Sequence, residues 1–260
     1  MATKTAPATK IDPPIGVAFD ANTGKAVTLG MDVYPAGWTV YEANAQWHLG
    51  YLGDLSKVWR DYTGKGVSVG VYDQGVESAH WDLAANIDKS KELVDDNGNV
   101  LSGEPVFTSD DLHDGAHGTS CAGLIAAARN GRGGVGVAYD AKITSVNIFD
   151  GNSQASDLNW VIGKGSGFDV ISNSWGFSPF VITSGWSRGA PDGWDSLTSQ
   201  VSDIARDGRN GLGTIFVKAA GNDFTENVTD GLNLDRHVVT VGAYRQVDGA
   251  ASYYSNSGPS

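Results

Sequence analysis

One cysteine, Cys121, is all that 260 residues contain, so neither an internal disulfide framework nor a multi-cysteine zinc site can form. No run of about 18 apolar residues occurs, which leaves no candidate transmembrane helix. Cations are scarce as well: 18 Lys and Arg face 30 Asp and Glu, for a net charge of −12. Nothing so acidic can neutralise a run of phosphates, and nucleic acid is excluded as a partner. The opening residues, Met1-Ala-Thr-Lys-Thr-Ala-Pro-Ala-Thr-Lys10, lack the apolar centre of a secretory signal. Glycine, by contrast, is abundant at 35 residues, which predicts many tight turns and close backbone approaches. Hydrophobic residues at 40% and charged residues at 18% are ordinary for a globular chain long enough to bury a core.

The chain reads as two parts. Residues 1–45 form a partly flexible lead-in: residues 1–14 are rich in Ala, Thr, Pro and Lys, and 15–45 show scattered aromatics without a period. Residues 46–260 alternate between β and α patterns. Strands are expected at Val67–Tyr72, Ile143–Phe149, Val170–Ser174, Thr214–Val217 and Val238–Val241. Helices are expected over His117–Ala128, Asp157–Ile162 and Leu197–Ala205. That alternation predicts an α/β fold with a doubly wound, mostly parallel sheet and helices on both faces. Active groups of such sheets sit beyond the carboxyl ends of the strands.

Three polar elements fall there. Asp73 closes the first strand, His117 opens the helix of small residues, and Asn222 follows the strand at Thr214–Val217. Singly, each is an ordinary cap or turn residue. Together they offer a different chemistry. A buried carboxylate can hold an imidazole in one tautomer, the imidazole can act as general base for a serine hydroxyl, and an amide N–H can stabilise an oxyanion.

The segments Gln46-Trp-His-Leu49, Tyr62-Thr-Gly-Lys-Gly-Val67, Asp73-Gln-Gly-Val76, His117-Gly-Thr-Ser-Cys-Ala-Gly123, Gly134-Val-Gly-Val-Ala-Tyr139, Ser172-Asn-Ser-Trp-Gly176, Gly213-Thr-Ile-Phe-Val217 and Ala220-Gly-Asn222 resemble, in order and spacing, the kexin/furin branch of the subtilisin-like serine peptidases. The resemblance implies a serine endopeptidase with Asp73 as triad acid, His117 as general base and Asn222 as oxyanion donor. It implies polypeptide substrates laid along Ser172, Ser174, Trp175 and Gly176 on one edge and Ala219, Ala220 and Gly221 on the other. It also implies a structural calcium ion held by Asp54, Asp82 and Asn130 with the carbonyls of Ala128, Arg132 and Gly134, hard oxygen ligands of the kind Ca²⁺ requires. A secreted or extracellular setting follows from the same resemblance.

The pattern is incomplete. The family's nucleophile lies in a Gly-Thr-Ser-x-Ala-x-Pro motif downstream of the oxyanion asparagine, and these residues end at Ser257-Gly-Pro-Ser260 without it. Two readings stay open: an endopeptidase fragment lacking its serine, or a catalytically silent protein that binds peptides. The segment Gly118-Thr-Ser120-Cys-Ala122 mimics the nucleophile motif but directly follows His117 and lacks the trailing Pro. Likewise Gly131-Arg-Gly133-Gly-Val-Gly136 matches a dinucleotide loop yet follows a helix instead of opening one. Asp230 aligns with one acid that selects basic side chains in the kexin branch, but Ser178-Pro179 and Gln74 stand where further acids belong. A weakened or altered preference for Arg and Lys is therefore expected.

Overall fold

The computed structural model describes residues 46–106, 116–131, 133–151, 153–176, 194–225 and 231–258, together with the backbone of two short strands, β1 (Val17–Phe19) and β2 (Ala26–Thr28). These two pair antiparallel, Val17 opposite Thr28, inside a segment whose sequence shows no strand period. The chain divides into two compact units, one of Met1–Val67, Ser78–Ile87 and Ala122–Lys142, the other of Ser68–Glu77, Asp88–Cys121 and Ile143–Ser260.

In the first unit, α1 (His48–Tyr51) and α2 (Leu55–Val58) are single turns, too short to persist without packing. Leu49, Leu55 and Trp59 supply that packing, forming a buried cluster with Val135 and Tyr139. Trp59 and Tyr139 meet edge to face at 5.3 Å, and the indole N–H of Trp59 donates to the Val137 carbonyl at 2.7 Å. Gln46 clasps Val135 in both directions: its Nε2 donates to the Val135 carbonyl and its Oε1 accepts the Val135 N–H. The Gln46-Trp-His-Leu49 run is thus a docking element for the Gly134–Tyr139 loop.

The second unit is built on a five-stranded sheet that runs β4 (Lys142–Asn147), β3 (Ser68–Asp73), β5 (Val170–Asn173), β6 (Ile215–Ala219), β7 (Val238–Val241). The β3–β5, β5–β6 and β6–β7 pairs are parallel. All six residues of β3 are buried, as a central strand covered on both faces requires. Three helix-to-strand alternations stand where the periodicity places them. The predicted strand end at Phe149 retreats to Asn147, whose side-chain oxygen accepts the Phe149 N–H and turns the chain there.

Two helices carry the core beside the sheet. In α4 (Leu158–Gly163) the Asp157 side chain caps the first turn by accepting the N–H groups of Asn159 and Trp160. In α5 (Trp194–Gly211) Leu197, Val201 and Ile204 lie one helical turn apart and are buried. Gly208, Arg209 and Asn210 leave helical geometry, Arg209 and Asn210 at φ 53° and 58°. Leu197, Val201 and Ile204 join Val161, Ile162, Phe168, Ile171 and Phe216 in one cluster. Along β6 and β7, Ile215, Val239 and Val241 remain about half exposed. Among the described residues no helix is long and apolar enough to cross a membrane.

Candidate active site

Register places the chemistry. Tyr72, Asn173, Lys218 and Thr240 lie side by side across β3, β5, β6 and β7, so Asp73, Ser174 and Ala219 emerge together at the carboxyl ends of three adjacent strands. This is where an open parallel sheet presents its ligand-binding edge.

The third helix, α3 (His117–Ala126), begins at the imidazole. Its first turn docks on the end of β3 by very close contact: a Cβ at Gly118 would stand 2.3 Å from the Gly75 carbonyl oxygen and 3.1 Å from the Asp73 Cβ. Only glycine permits that approach. The Thr119 hydroxyl strengthens it by accepting the Glu77 N–H at 3.0 Å. His117 Nδ1 consequently lies 2.7 Å from Asp73 Oδ1. A carboxylate only accepts, so Nδ1 carries the proton and Nε2 is left as a lone-pair acceptor. Asp73 is buried and His117 half-exposed. The same Asp73 oxygen accepts the Gln74 N–H at 2.8 Å, while Oδ2 is buried with no partner among the described residues.

The imidazole opens into a cleft of about 190 Å³ walled by Asp73, Gln74, His117, Phe149, Ser174 and Trp175. Cys121, one turn beyond His117, puts Sγ 3.9 Å from Nδ1. Burial raises its thiol pKa, a hydrogen bond with Ser174 opposes that, and the Asp73 charge adds to it. A thiol disfavoured as thiolate is a poor nucleophile. Ser120 donates to the Ala116 carbonyl, and Ser255 is buried, accepting the Ala243 N–H and donating to the Asn256 carbonyl. Neither hydroxyl bonds to His117.

Of the predicted substrate edges, Ser172 lies in β5 with Ser174 to Gly176 following it, and Ala219 to Gly221 follow β6. Lys218, 1% exposed, joins the two edges by donating from Nζ to the Trp175 carbonyl at 2.8 Å. Asn222 is exposed and its side chain makes no hydrogen bond among the described residues. It is not part of the cleft wall. Asp230, Ser178 and Pro179 lie outside the described residues. Phe149 enters the cleft without having been singled out; it follows a strand on the same edge, a signal the sequence does contain.

The predicted metal ligands are brought together in part. Asp82 is buried; its Oδ1 accepts from Asn130 Nδ2 at 2.8 Å, its Oδ2 accepts the Gly134 N–H at 3.0 Å, and its carbonyl accepts the Ala128 N–H at 2.7 Å. Asp54 instead is exposed, caught locally by the Ser56 hydroxyl and the Lys57 ammonium. Those two neighbours hold its carboxyl below the usual range. Arg132 lies outside the described residues.

Relatives include the PC3-like endoprotease variant B of Hydra vulgaris, 38% identical over 172 residues that cover 64% of this chain and 22% of that protein. Human furin is 35% identical over 204 residues, covering 75% of this chain and 24% of its own. The chain thus spans about a quarter of the length of these relatives. Among solved structures, the serine protease of Aeromonas sobria in complex with its chaperone ORF2 superposes with a TM-score of 0.59 at 29% identity, over 74% of this chain and 34% of that one. Residues 64–260 match the model of the Subtilase family, peptidase S8, and the chain belongs to that family.

Proposed function

We propose that this chain carries the acid–base and oxyanion-stabilising parts of a serine endopeptidase site acting on polypeptides. The observation that carries the reading is the 2.7 Å contact between His117 Nδ1 and buried Asp73 at the mouth of the cleft. In the reaction a serine hydroxyl from a Gly-Thr-Ser-x-Ala-x-Pro segment, absent from these 260 residues, attacks the scissile carbonyl. Its proton passes to His117 Nε2 while Asp73 steadies the imidazolium. As the C–N bond breaks, His117 returns that proton to the leaving amine. Water then releases the acyl group by the same route. Asn222, with an unengaged side-chain amide, donates to the oxyanion, a bond worth about 10²–10³ in turnover.

Substrate would lie between the edges Ser172–Gly176 and Ala219–Gly221, tied to each other by Lys218. Asp230 would recruit basic side chains, with a weaker preference than two or more acids would impose. Cleavage after Leu as fast as after Arg would remove that preference. The family resemblance favours a secreted or extracellular setting, tested by fractionating the producing cells.

For calcium, the donor set fits in part: the Asp82 carboxylate and the Asn130 amide already meet on one glycine-rich turn, where an amide flip would turn the Asn130 oxygen toward the ion and the carbonyls of Ala128 and Gly134 would join them. Asp54 would complete the set by leaving Lys57, and the Arg132 carbonyl is the remaining expected ligand. The ion would supply rigidity to this turn. Identical melting in chelator and in excess calcium would remove it.

The test of the whole reading is peptide hydrolysis by the protein expressed from its complete reading frame. Turnover abolished by His117→Ala and Asp73→Asn is expected. Turnover indifferent to both substitutions overturns the assignment, and saturable peptide binding without turnover establishes the silent reading.

A further inference from the structure

Asn256 is 5% exposed and its side chain spends its entire hydrogen-bonding capacity on one loop, the one that carries Asn222. Its Nδ2 donates to the Ala220 carbonyl at 3.0 Å and to Asp223 Oδ2 at 3.4 Å. Its Oδ1 accepts the N–H groups of Asp223 at 2.9 Å and Thr225 at 3.2 Å. A primary amide has two N–H donors and two acceptor lone pairs, and all four are engaged. The Asn256 backbone N–H adds a bond to the Gly221 carbonyl at 3.0 Å. Neighbouring backbone bonds, Phe224 N–H to the Tyr254 carbonyl and Ser257 N–H to the Thr225 carbonyl, both 3.0 Å, extend the clamp.

The loop needs such a clamp because it is built from backbone conformations that hold no regular structure. Gly221 has φ 101°, and a Cβ there would stand 2.4 Å from Asn256 Nδ2. Phe224 is left-handed at φ 51° and 76% exposed, a conformation that costs a non-glycine residue and persists only where surroundings enforce it. Asn256 grips the residues on either side of Asn222, at 220, 221, 223 and 225, and leaves the Asn222 side chain unengaged. That is the arrangement a preorganised hydrogen-bond donor requires: fixed backbone, free amide.

We propose that Asn256 is a positioning residue for the oxyanion donor, acting on peptide hydrolysis only through Asn222. This rests on the endopeptidase reading above. In the protein made from its complete reading frame, Asn256→Ala should lower kcat by about 10–100-fold, less than losing the donor outright, with KM changed little. The informative measurement is a double-mutant cycle. In an Asn222→Ala background, Asn256→Ala should cause almost no further loss, because groups acting as one unit are non-additive. An equal loss of kcat in both backgrounds would mean general structural damage and overturn the proposal. Asn256→Asp, isosteric but lacking both donors and facing the Asp223 carboxylate, should behave like Asn256→Ala and guards against misfolding of the smaller variant.

Amide hydrogen exchange separates this proposal from the endopeptidase reading. Asn256→Ala, which removes the oxygen that accepts both N–H groups, should speed exchange at Asp223 and Thr225 by at least about tenfold, leaving the β6 amides unchanged. Exchange unchanged at 223 and 225 overturns the clamp even in an active enzyme. Accelerated exchange in a protein whose wild type hydrolyses nothing upholds the clamp and removes only the reading that it serves catalysis.

Discussion

Gly118 rests against Gly75 so closely that a methyl group on Gly118 would fall 2.3 Å from the Gly75 carbonyl oxygen, and this contact delivers His117 to Asp73. Gly118→Ala should therefore push the first turn of α3 away from the end of β3. Overpacking of this kind costs about 1–3 kcal/mol. A lower melting temperature and a lower kcat are expected together. Full stability with full turnover would show that the backbone yields there at no expense.

Asp73→Asn keeps the shape of the site but replaces an acceptor-only oxygen with an amide that can present its donor to Nδ1. The wrong imidazole tautomer follows, and kcat for peptide hydrolysis should fall by about 10⁴ with KM nearly constant. That magnitude is carried over from other triads and from subtilisin, the namesake of this family. A rate loss under tenfold would separate Asp73 from the chemistry.

Cys121 is raised by burial above its usual 9.0. At pH 8 it holds less thiolate than a free thiol, so iodoacetamide should label it more slowly than a small-molecule thiol. The rate should still be climbing above pH 9, where a free thiol levels off. Fast labelling at pH 7 would contradict both the burial and the dismissal of Cys121 as nucleophile.

His48 carries a buried Nε2 with no partner among the described residues, and burial holds it below its usual 6.5. As pH falls below 6.5 the unfolded chain takes up this proton before the folded one does. Stability from this residue is thus present above 6.5 and lost on acidification through the folded value. His48→Phe should shrink the drop in melting temperature between neutral and mildly acid pH. An unchanged drop would assign that acid sensitivity to other groups.

Much of the fold is legible in the chain. The β3 run Ser68-Val-Gly-Val-Tyr-Asp73 is apolar and β-branched because both of its faces are covered. The Leu197, Val201 and Ile204 stripe gives α5 its face. The β1–β2 pair is not legible, since three-residue strands are too short to display a period. Asp73 and His117 were recognisable through the glycines beside them. Asn256 was not: a lone asparagine near Ser257-Gly258 reads as a turn residue, and only its burial against residues over thirty positions earlier reveals its role.

By itself, then, the sequence determined which groups are available and on which edge they emerge. Strand–helix alternation dictates a parallel sheet, and a parallel sheet collects strand-end residues such as Asp73, Ser174 and Ala219 on one side. Tertiary structure alone decided which of those groups touch. Asp73 and His117 are 44 residues apart along the chain and meet at 2.7 Å, whereas Asp54 spends its carboxylate on the nearby donors Ser56 and Lys57. Residue type is a local property, but a hydrogen bond depends on distance and angle to within fractions of an ångström, and those are set by everything packed between the two ends.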